Sequence, residues 1–225
     1  MSGLVDRIIN LVKWPIAIWL FVSLPAFFKS LDAFSFMSWR YFAMGAGFFM
    51  FFIGRTFMDS SSRTSMEVLA HELTHAFFAI ITFHKVKGIS INPDDTGGSM
   101  SFEGDGNWLI IIAPYFFPLY CLIFMIFVGI YTIFAPTNLL FNLILGFFVG
   151  FHFDMVGSQI HEKQTDLPKV GYPFCITFLL PANLWMIGSV LAFNSRGWNG
   201  VIMYQELINS LNEKNFNYII NLLGW

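Results

Sequence analysis

Apolar residues run through this chain in six long stretches, joined by shorter and more polar connections. A helix needs about 20 apolar residues to cross a bilayer, with about 17 as the lower limit. The first stretch is short, which favours a tilted or re-entrant segment. The fourth contains Pro114 and Pro118, which predict a kink or a break. The stretches lie at residues 14–28, 41–57, 67–83, 108–134, 138–158 and 172–193.

Composition also indicates a membrane protein. Hydrophobic residues make up 56% of the chain and charged residues 12%, and soluble domains carry about twice that charged fraction. The net charge is −2 and no basic patch is present, so a nucleic-acid partner is not expected. The predicted fold is an all-α polytopic membrane protein with about six transmembrane helices and a small β-hairpin, forming one domain over residues 1–225 in a lipid bilayer.

The two ends of the chain are predicted to lie along the membrane surface. Residues 1–13 place apolar side chains on one helical face, and no small-residue cleavage site follows them, so we expect an interfacial helix rather than a cleaved signal. Residues 195–225 have the spacing of an amphipathic tail. Cys121 and Cys175 lie in apolar stretches, which predicts buried thiols rather than a disulfide or a cysteine metal site.

The third stretch contains the most specific motif, H-E-x-x-H at residues 71–75. On a helix, positions i and i+4 share one face, so His71 and His75 can direct two imidazoles at one Zn²⁺ ion. Glu72 can hold a water beside that ion and accept its proton. The alternative is a hydrated helix end with exposed side chains, but ionisable groups in apolar helices are costly and usually face a cavity or a partner.

The segment before the motif predicts where its helix begins. Residues 64–67 have the T-x-x-E pattern of a capping box, which places the first turn of the helix at Thr64. Residues 59–65 are accordingly expected to form a polar loop.

Residues 85–106 are the only long polar connection between the apolar stretches. Apolar and polar residues alternate before and after a turn-rich segment at residues 92–98, which predicts a β-hairpin. An ordinary extramembrane loop is the alternative. As a hairpin beside the metal, the segment would offer a strand edge to an extended substrate. The apolar positions expected to bind substrate are Ile89, Ile91, Met100 and Phe102.

A catalytic zinc site needs a third protein ligand, and several residues are candidates. His84 follows His75 by nine residues, a rise of about 13.5 Å that is too far for the same ion unless the helix breaks. A buried, hydrogen-bonded role suits His152 better than ligation. The full set of candidates is His84, His152, Asp154, His161, Glu162 and Asp166.

Asp166 is the residue that we expect to complete the site. His152, Gln159 and Asp166 are spaced by seven, so one helix would place them along a polar stripe, with Asp154 on the other side. Pro168 is expected to end that helix near Leu167. An exposed carboxylate at a helix end is the alternative for Asp166. His152 and Gln159 are predicted to support the ligands without binding the metal themselves.

These features together resemble the intramembrane zinc metalloproteases of the site-2 protease class, family M50, and in particular its M50B-like members. The resemblance rests on the motif at 71–75, the loop at 86–102, the Ala-Pro stretch at 113–118 and Gln164-Thr165-Asp166-Leu167, and it covers residues 64–171. It implies His71, His75 and an aspartate as zinc ligands, and Glu72 as general base. The better-known members have glycine after that aspartate, where this chain has Leu167.

The resemblance implies a multi-pass protein of a bacterial inner membrane, with one Zn²⁺ per chain. Its partners would be membrane proteins, cleaved in or near their transmembrane segments. Two other functions stay open from the sequence: a zinc hydrolase of a lipid-linked or small amide, and a non-catalytic scaffold with a structural zinc. Glu72 argues against the scaffold, because a structural zinc site does not need it.

Overall fold

The computed structural model describes residues 2–91, 97–161 and 164–222, the last four as backbone only. The chain is mostly helical, at 78%. Two short 3₁₀ turns, Leu31–Ala33 and Ala113–Tyr115, join neighbouring helices. The α-helices are α1 Ser2–Leu11, α2 Lys13–Val22, α3 Leu24–Ser30, α4 Trp39–Arg55, α5 Ser60–Ile81, α6 Trp108–Ile112, α7 Leu119–Tyr131, α8 Leu139–Gln159, α9 Asp166–Val170 and α10 Tyr172–Leu222.

All six apolar stretches form helices, but the structure supports two to four membrane spans rather than clearly six. Among the described residues, α8 and α10 are each long and apolar enough to cross a bilayer. Two helix pairs qualify only if each bent pair is one span: Lys13–Val22 with Leu24–Ala33, bent by 47°, and Trp108–Tyr115 with Leu119–Tyr131, bent by 82°. The second bend confirms the break predicted at Pro114 and Pro118.

The motif helix α5 begins earlier than the sequence suggested. Its N-cap is Asp59, whose Oδ1 accepts a hydrogen bond of 2.8 Å from the Ser62 amide. The hydrogen bonds from Ser62 lower the pKa of the Asp59 carboxyl below its ordinary value. The capping box at Thr64 and the loop at 59–65 were therefore wrong predictions, because Asp59 satisfies the free amides one turn upstream.

The predicted stripe of His152, Gln159 and Asp166 along one helix is also wrong. Helix α8 ends at Gln159, and Ile160 has extended backbone. Asp166 opens a separate short helix, α9, which continues to Val170. Pro168 does not end a helix but lies in the first turn of α9, where no intrahelical hydrogen bond needs its missing N–H.

The hairpin is confirmed. Strand β1, Val86–Ile91, pairs antiparallel with β2, Gly98–Phe102, so that Ile89 lies opposite Met100 and Ile91 opposite Gly98. A bulge between Val86 and Gly88 shifts the register. The turn predicted at residues 92–98 falls largely on residues 92–96, which lie outside the described part of the chain.

Glycines let α4 and α8 pack against each other at close range. A Cβ at Gly47 would overlap the carbonyl of Leu143, and one at Gly146 would overlap that of Met44. By contrast, a Cβ at Gly45 would meet nothing within 4 Å. Small residues at helix crossings allow such close approach of two backbones in lipid, and this contact holds α8 against α4.

Helix α1 is held to the rest of the protein by a buried polar cluster. Asp6, 6% exposed, lies 3.0 Å from the imidazole of His84 and accepts a hydrogen bond of 2.7 Å from Asn107. On the outer side, Leu4, Ile8 and Leu11 are exposed. The helix predicted at residues 1–13 is therefore present, and it buries an aspartate while presenting apolar side chains outward.

Candidate metal centre

Three potential metal ligands meet where α5 faces the start of α9. The Nε2 atoms of His71 and His75 are 3.0 Å apart. The Oδ2 atom of Asp166 lies 3.4 Å from the first and 3.3 Å from the second. Among the described residues these form the one group of at least three His, Cys, Asp or Glu side chains whose ligand atoms come within 4.8 Å of one another.

The dimensions of this triangle suit zinc. Ligand atoms bound tetrahedrally at about 2.0–2.1 Å are separated from one another by about 3.3 Å. The three separations of 3.0, 3.3 and 3.4 Å bracket that value. Two imidazoles and one carboxylate also match the ligand types of catalytic zinc sites, which leave the fourth position to water or substrate. The residues present therefore fit the metal that the sequence predicted.

His75 is oriented for ligation by the backbone of α6. Its Nδ1 lies 2.7 Å from the carbonyl oxygen of Ile110, which can only accept, so Nδ1 carries the proton. The Nε2 lone pair is then free to face His71 and Asp166. Asn107 caps α6 by accepting a hydrogen bond from the Ile110 amide, which holds this carbonyl in place. Such support fixes the tautomer of a ligating histidine.

Tyr115 contacts both of the other ligands. Its ring lies edge-on to His71, with ring centres 5.2 Å apart, and its hydroxyl donates a hydrogen bond of 3.4 Å to Asp166. Tyr115 is almost fully buried, and its own carbonyl accepts a hydrogen bond of 2.9 Å from Asn183 on α10. The tyrosine thereby links α10 to the metal centre.

Asp166 is suited to hold a cation. Burial alone raises the pKa of its carboxyl, but the hydrogen bonds from His71 and His75 outweigh burial and hold that pKa below its ordinary value. Lys169, 3.4 Å away on the same short helix, adds a positive charge. The Asp166 carboxyl is therefore ionised at neutral pH.

Glu72 lies between the ligands and the hairpin. Its carboxylate interacts with the backbone amide of Met100 on β2. A Cβ at Gly98 would come within 3.0 Å of the Glu72 side chain and 2.6 Å of Val68, so β2 passes directly over this part of α5. The edge of β2 that faces away from β1 is therefore turned toward the metal centre.

The ligands open into a cleft of about 870 Å³ between α5, β2 and α9. Of the four positions predicted to bind substrate, Met100 and Phe102 line this cleft. Ile89 and Ile91 lie on β1 and are not among its lining residues. Gln159 also lines it, whereas His152 lies in a separate small cavity with Thr74 and Met155.

The other third-ligand candidates lie elsewhere or in other pairings. His84 pairs with Asp6, and Asp154 pairs with Arg55 at 2.5 Å. His152 interacts with Asn183, whose amide donates a hydrogen bond to the Tyr115 carbonyl. His161 lines the cleft beyond the three ligands. Glu162 lies outside the described residues.

Sequence reasoning missed Tyr115, Asn107 and the Ile110 carbonyl. Tyr115 stands within the Ala-Pro stretch that carried the resemblance, and Asn107 has the N-cap preference that would have placed α6. The Ile110 carbonyl leaves no signal in the sequence, because any residue there supplies the same backbone oxygen.

Comparison with known proteins finds a family match over part of the chain. The profile of the family described as Peptidase M50B-like matches residues 61–155. That segment contains His71, Glu72 and His75, together with the hairpin and most of α8, but it ends before Asp166. No curated protein and no solved structure matches the chain.

Proposed function

We propose, on the premise that residues 61–155 are those of an M50B-like peptidase, that this chain is an intramembrane zinc metallopeptidase. Its substrates would be peptide bonds in or near the transmembrane segments of other proteins. One Zn²⁺ per chain, a single domain over residues 1–225 and a location in a bacterial inner membrane are parts of the same proposal.

The proposal rests on one observation: three side chains of the types that bind zinc lie together with a fourth side chain, the Glu72 carboxylate, beside the edge of β2. His71, His75 and Asp166 come from two separate helices, and their ligand atoms lie within 3.0–3.4 Å of one another. Glu72 lies beside them on α5, and all four residues line the cleft of about 870 Å³. A purely structural zinc site closes its fourth position with a protein ligand.

The proposed roles follow from these positions. A bound Zn²⁺ would supply a Lewis acid that acidifies a water molecule and polarises the scissile carbonyl. Glu72 accepts the proton of the attacking water and passes it to the leaving amine. His75 keeps its Nδ1 proton on the Ile110 carbonyl, and Tyr115 holds Asp166 through its hydroxyl.

Substrate binding is proposed at β2. A transmembrane helix hides its peptide groups in its own hydrogen bonds, so a substrate must unwind before it is cleaved. An unwound segment can pair with the edge of β2 that faces away from β1 and turns toward the metal centre, as extended peptides add to exposed sheet edges elsewhere. Met100 and Phe102 would contact its side chains, because both line the cleft.

Glu72→Gln tests this proposal. The variant should keep one zinc per chain and lose cleavage of a fluorogenic peptide in detergent micelles, because the amide cannot accept a proton. Zinc content by plasma mass spectrometry and the cleavage rate are measured on the same sample. Loss of zinc from this variant would make Glu72 a ligand and contradict the mechanism.

Two other results would each favour a different function over the proposed peptidase activity. Turnover of an N-acyl aminocoumarin but not of peptides, by wild type and not by Glu72→Gln, would make the protein a small-amide hydrolase. Stoichiometric zinc with no turnover of either probe would favour a structural role.

A further inference from the structure

A second cavity, of about 430 Å³, lies far from the metal centre. Asn142 of α8 lines this cavity, whereas Gln159, at the other end of the same helix, lines the metal cleft. Seventeen residues separate them, which is about 25 Å along a helix. Because α8 can cross the membrane, the two cavities lie toward opposite faces of the bilayer.

The mouth of this cavity is positively charged. Arg40 from the start of α4 and Arg196 from α10 both line it, and none of the described residues that line it is acidic. Arg40 donates to the carbonyl of Ser195, and Arg196 contacts the sulfur of Met203. Within the described ranges neither guanidinium pairs with a carboxylate. Each guanidinium has five N–H donors, so both retain donors for an anion.

A buried donor in the wall of the cavity has no partner among the described residues. Asn194 is 4% exposed, and its Oδ1 accepts a hydrogen bond of 2.8 Å from the Asn142 side chain. That bond leaves the Nδ2 of Asn194 as a donor, and no described group accepts from it. A buried unsatisfied donor is costly, so an acceptor brought by a ligand would satisfy it.

The cavity forms where α10 is interrupted. Arg196 and Gly197 have non-helical backbone, and Gly197 has φ of 61° and ψ of −149°, a conformation that glycine adopts readily. Because the helix is interrupted here, Asn194, Arg196 and Trp198 all line the same cavity. The chain therefore builds this opening with a glycine rather than continuing a regular helix.

Below the charged mouth the cavity is apolar. Trp198 packs against Gly129 of α7, where an added Cβ would come within 2.5 Å of the indole nitrogen. Tryptophan is enriched where spans reach the membrane surface, and Trp198 is 40% exposed. The apolar lining residues are Phe124, Val128, Phe141, Leu145 and Phe193.

We propose that this cavity binds one anionic phospholipid. Arg40, Arg196 and the Asn194 amide would hold the phosphate, since guanidinium groups pair strongly with phosphate oxygens. The apolar lining residues would contact the upper part of an acyl chain. A free phosphate ion has no such chain. This site is independent of the proposed peptidase activity, because it shares no residue with the metal centre.

Native mass spectrometry of the full chain in detergent micelles tests the lipid site. Titration with dioleoyl phosphatidylglycerol should show one tightly held lipid per chain, and dioleoyl phosphatidylcholine should bind at least about tenfold more weakly, since it carries no net charge. Arg196→Gln should weaken phosphatidylglycerol binding by about tenfold or more, because a charge-assisted contact is lost.

Arg7→Gln is the matched control, since Arg7 is an exposed arginine on α1 outside the cavity. Arg7→Gln should leave the affinity within about twofold, as expected for an exposed charge outside the cavity that solvent and salt screen. Asn194→Asp adds a buried negative charge and should abolish binding. If that variant does not fold, Arg196→Gln against Arg7→Gln still decides the question.

Three results would overturn the proposal. One is equal affinity for the two lipids. Another is an equal loss of affinity in Arg196→Gln and Arg7→Gln, which would indicate general attraction to anionic surfaces. The third is displacement of the lipid by millimolar inorganic phosphate. That result would show that the acyl chain adds nothing to the affinity, and it would make the cavity a phosphate site.

Discussion

The two histidines of the motif are held in different ways. The Nδ1 of His75 has a backbone acceptor at 2.7 Å, whereas the Nδ1 of His71 is buried with no hydrogen-bond partner among the described residues. His71 is positioned instead by packing against Tyr115 and by its contact with Asp166. The geometry at His71 therefore depends on Tyr115 and on Asp166 at the start of α9.

Asp166→Ala should lower zinc affinity by more than the roughly 10- to 100-fold that loss of an outer supporting residue costs, because a direct ligand is removed. Competition with a fluorescent chelator measures the affinity. Asp154→Ala is the matched control. It removes a buried carboxylate paired with Arg55, so it should lower stability while leaving zinc affinity unchanged.

The reverse pattern, with zinc affinity lost in Asp154→Ala and kept in Asp166→Ala, would contradict the proposed ligand set. Equal small losses in both variants would also do so, because they would assign the effect to general destabilisation.

At the scale of elements, β2 is the strand that meets the metal centre. Met100→Pro removes the amide that reaches Glu72 and blocks pairing on that edge, so cleavage of the fluorogenic peptide should fall by at least about tenfold with zinc content unchanged. Ile89→Pro is the control on β1, opposite Met100 and outside the cleft. Equal rates in the two variants would exclude β2 as the binding edge.

The packing of α4 on α8 makes a second prediction at this scale. Gly47→Ala should destabilise the fold by about 1–3 kcal/mol, because its Cβ overlaps the Leu143 carbonyl. Gly45→Ala on the same helix should be neutral or stabilising by up to about 1 kcal/mol, since space is open there. Thermal unfolding in detergent compares the two, and equal melting temperatures would exclude close packing at Gly47.

Sequence patterns predicted the elements better than their ends. The hairpin, the break at Pro114 and Pro118 and all six helical stretches follow from alternation, proline chemistry and apolar runs. The start of α5 was misplaced because Asp59 and Thr64 both offer caps, and local sequence does not rank them. The continuous helix from His152 to Asp166 was wrong because the chain leaves helical geometry at Ile160, which carries no glycine or proline signal.

For the whole molecule, the candidate site was easier to predict than the number of spans. Helical periodicity places the two histidines of an H-E-x-x-H motif on one face, so His71, Glu72 and His75 could be proposed from the sequence. Asp166 was chosen for a helical stripe that does not exist, yet a change of chain direction after α8 brings it to the same ligands. The structure supports two to four spans rather than clearly six, because the 17 residues of α4 are at the lower limit for a span and α5 carries the polar motif.

X-ray absorption at the zinc edge of the loaded protein tests the metal centre most directly. The proposed ligand set predicts four nitrogen or oxygen neighbours at about 2.0–2.1 Å, two of them with the outer scattering of imidazole. His75→Ala should lose one imidazole contribution. A sulfur neighbour at about 2.3 Å, or a spectrum that His75→Ala leaves unchanged, would contradict the account.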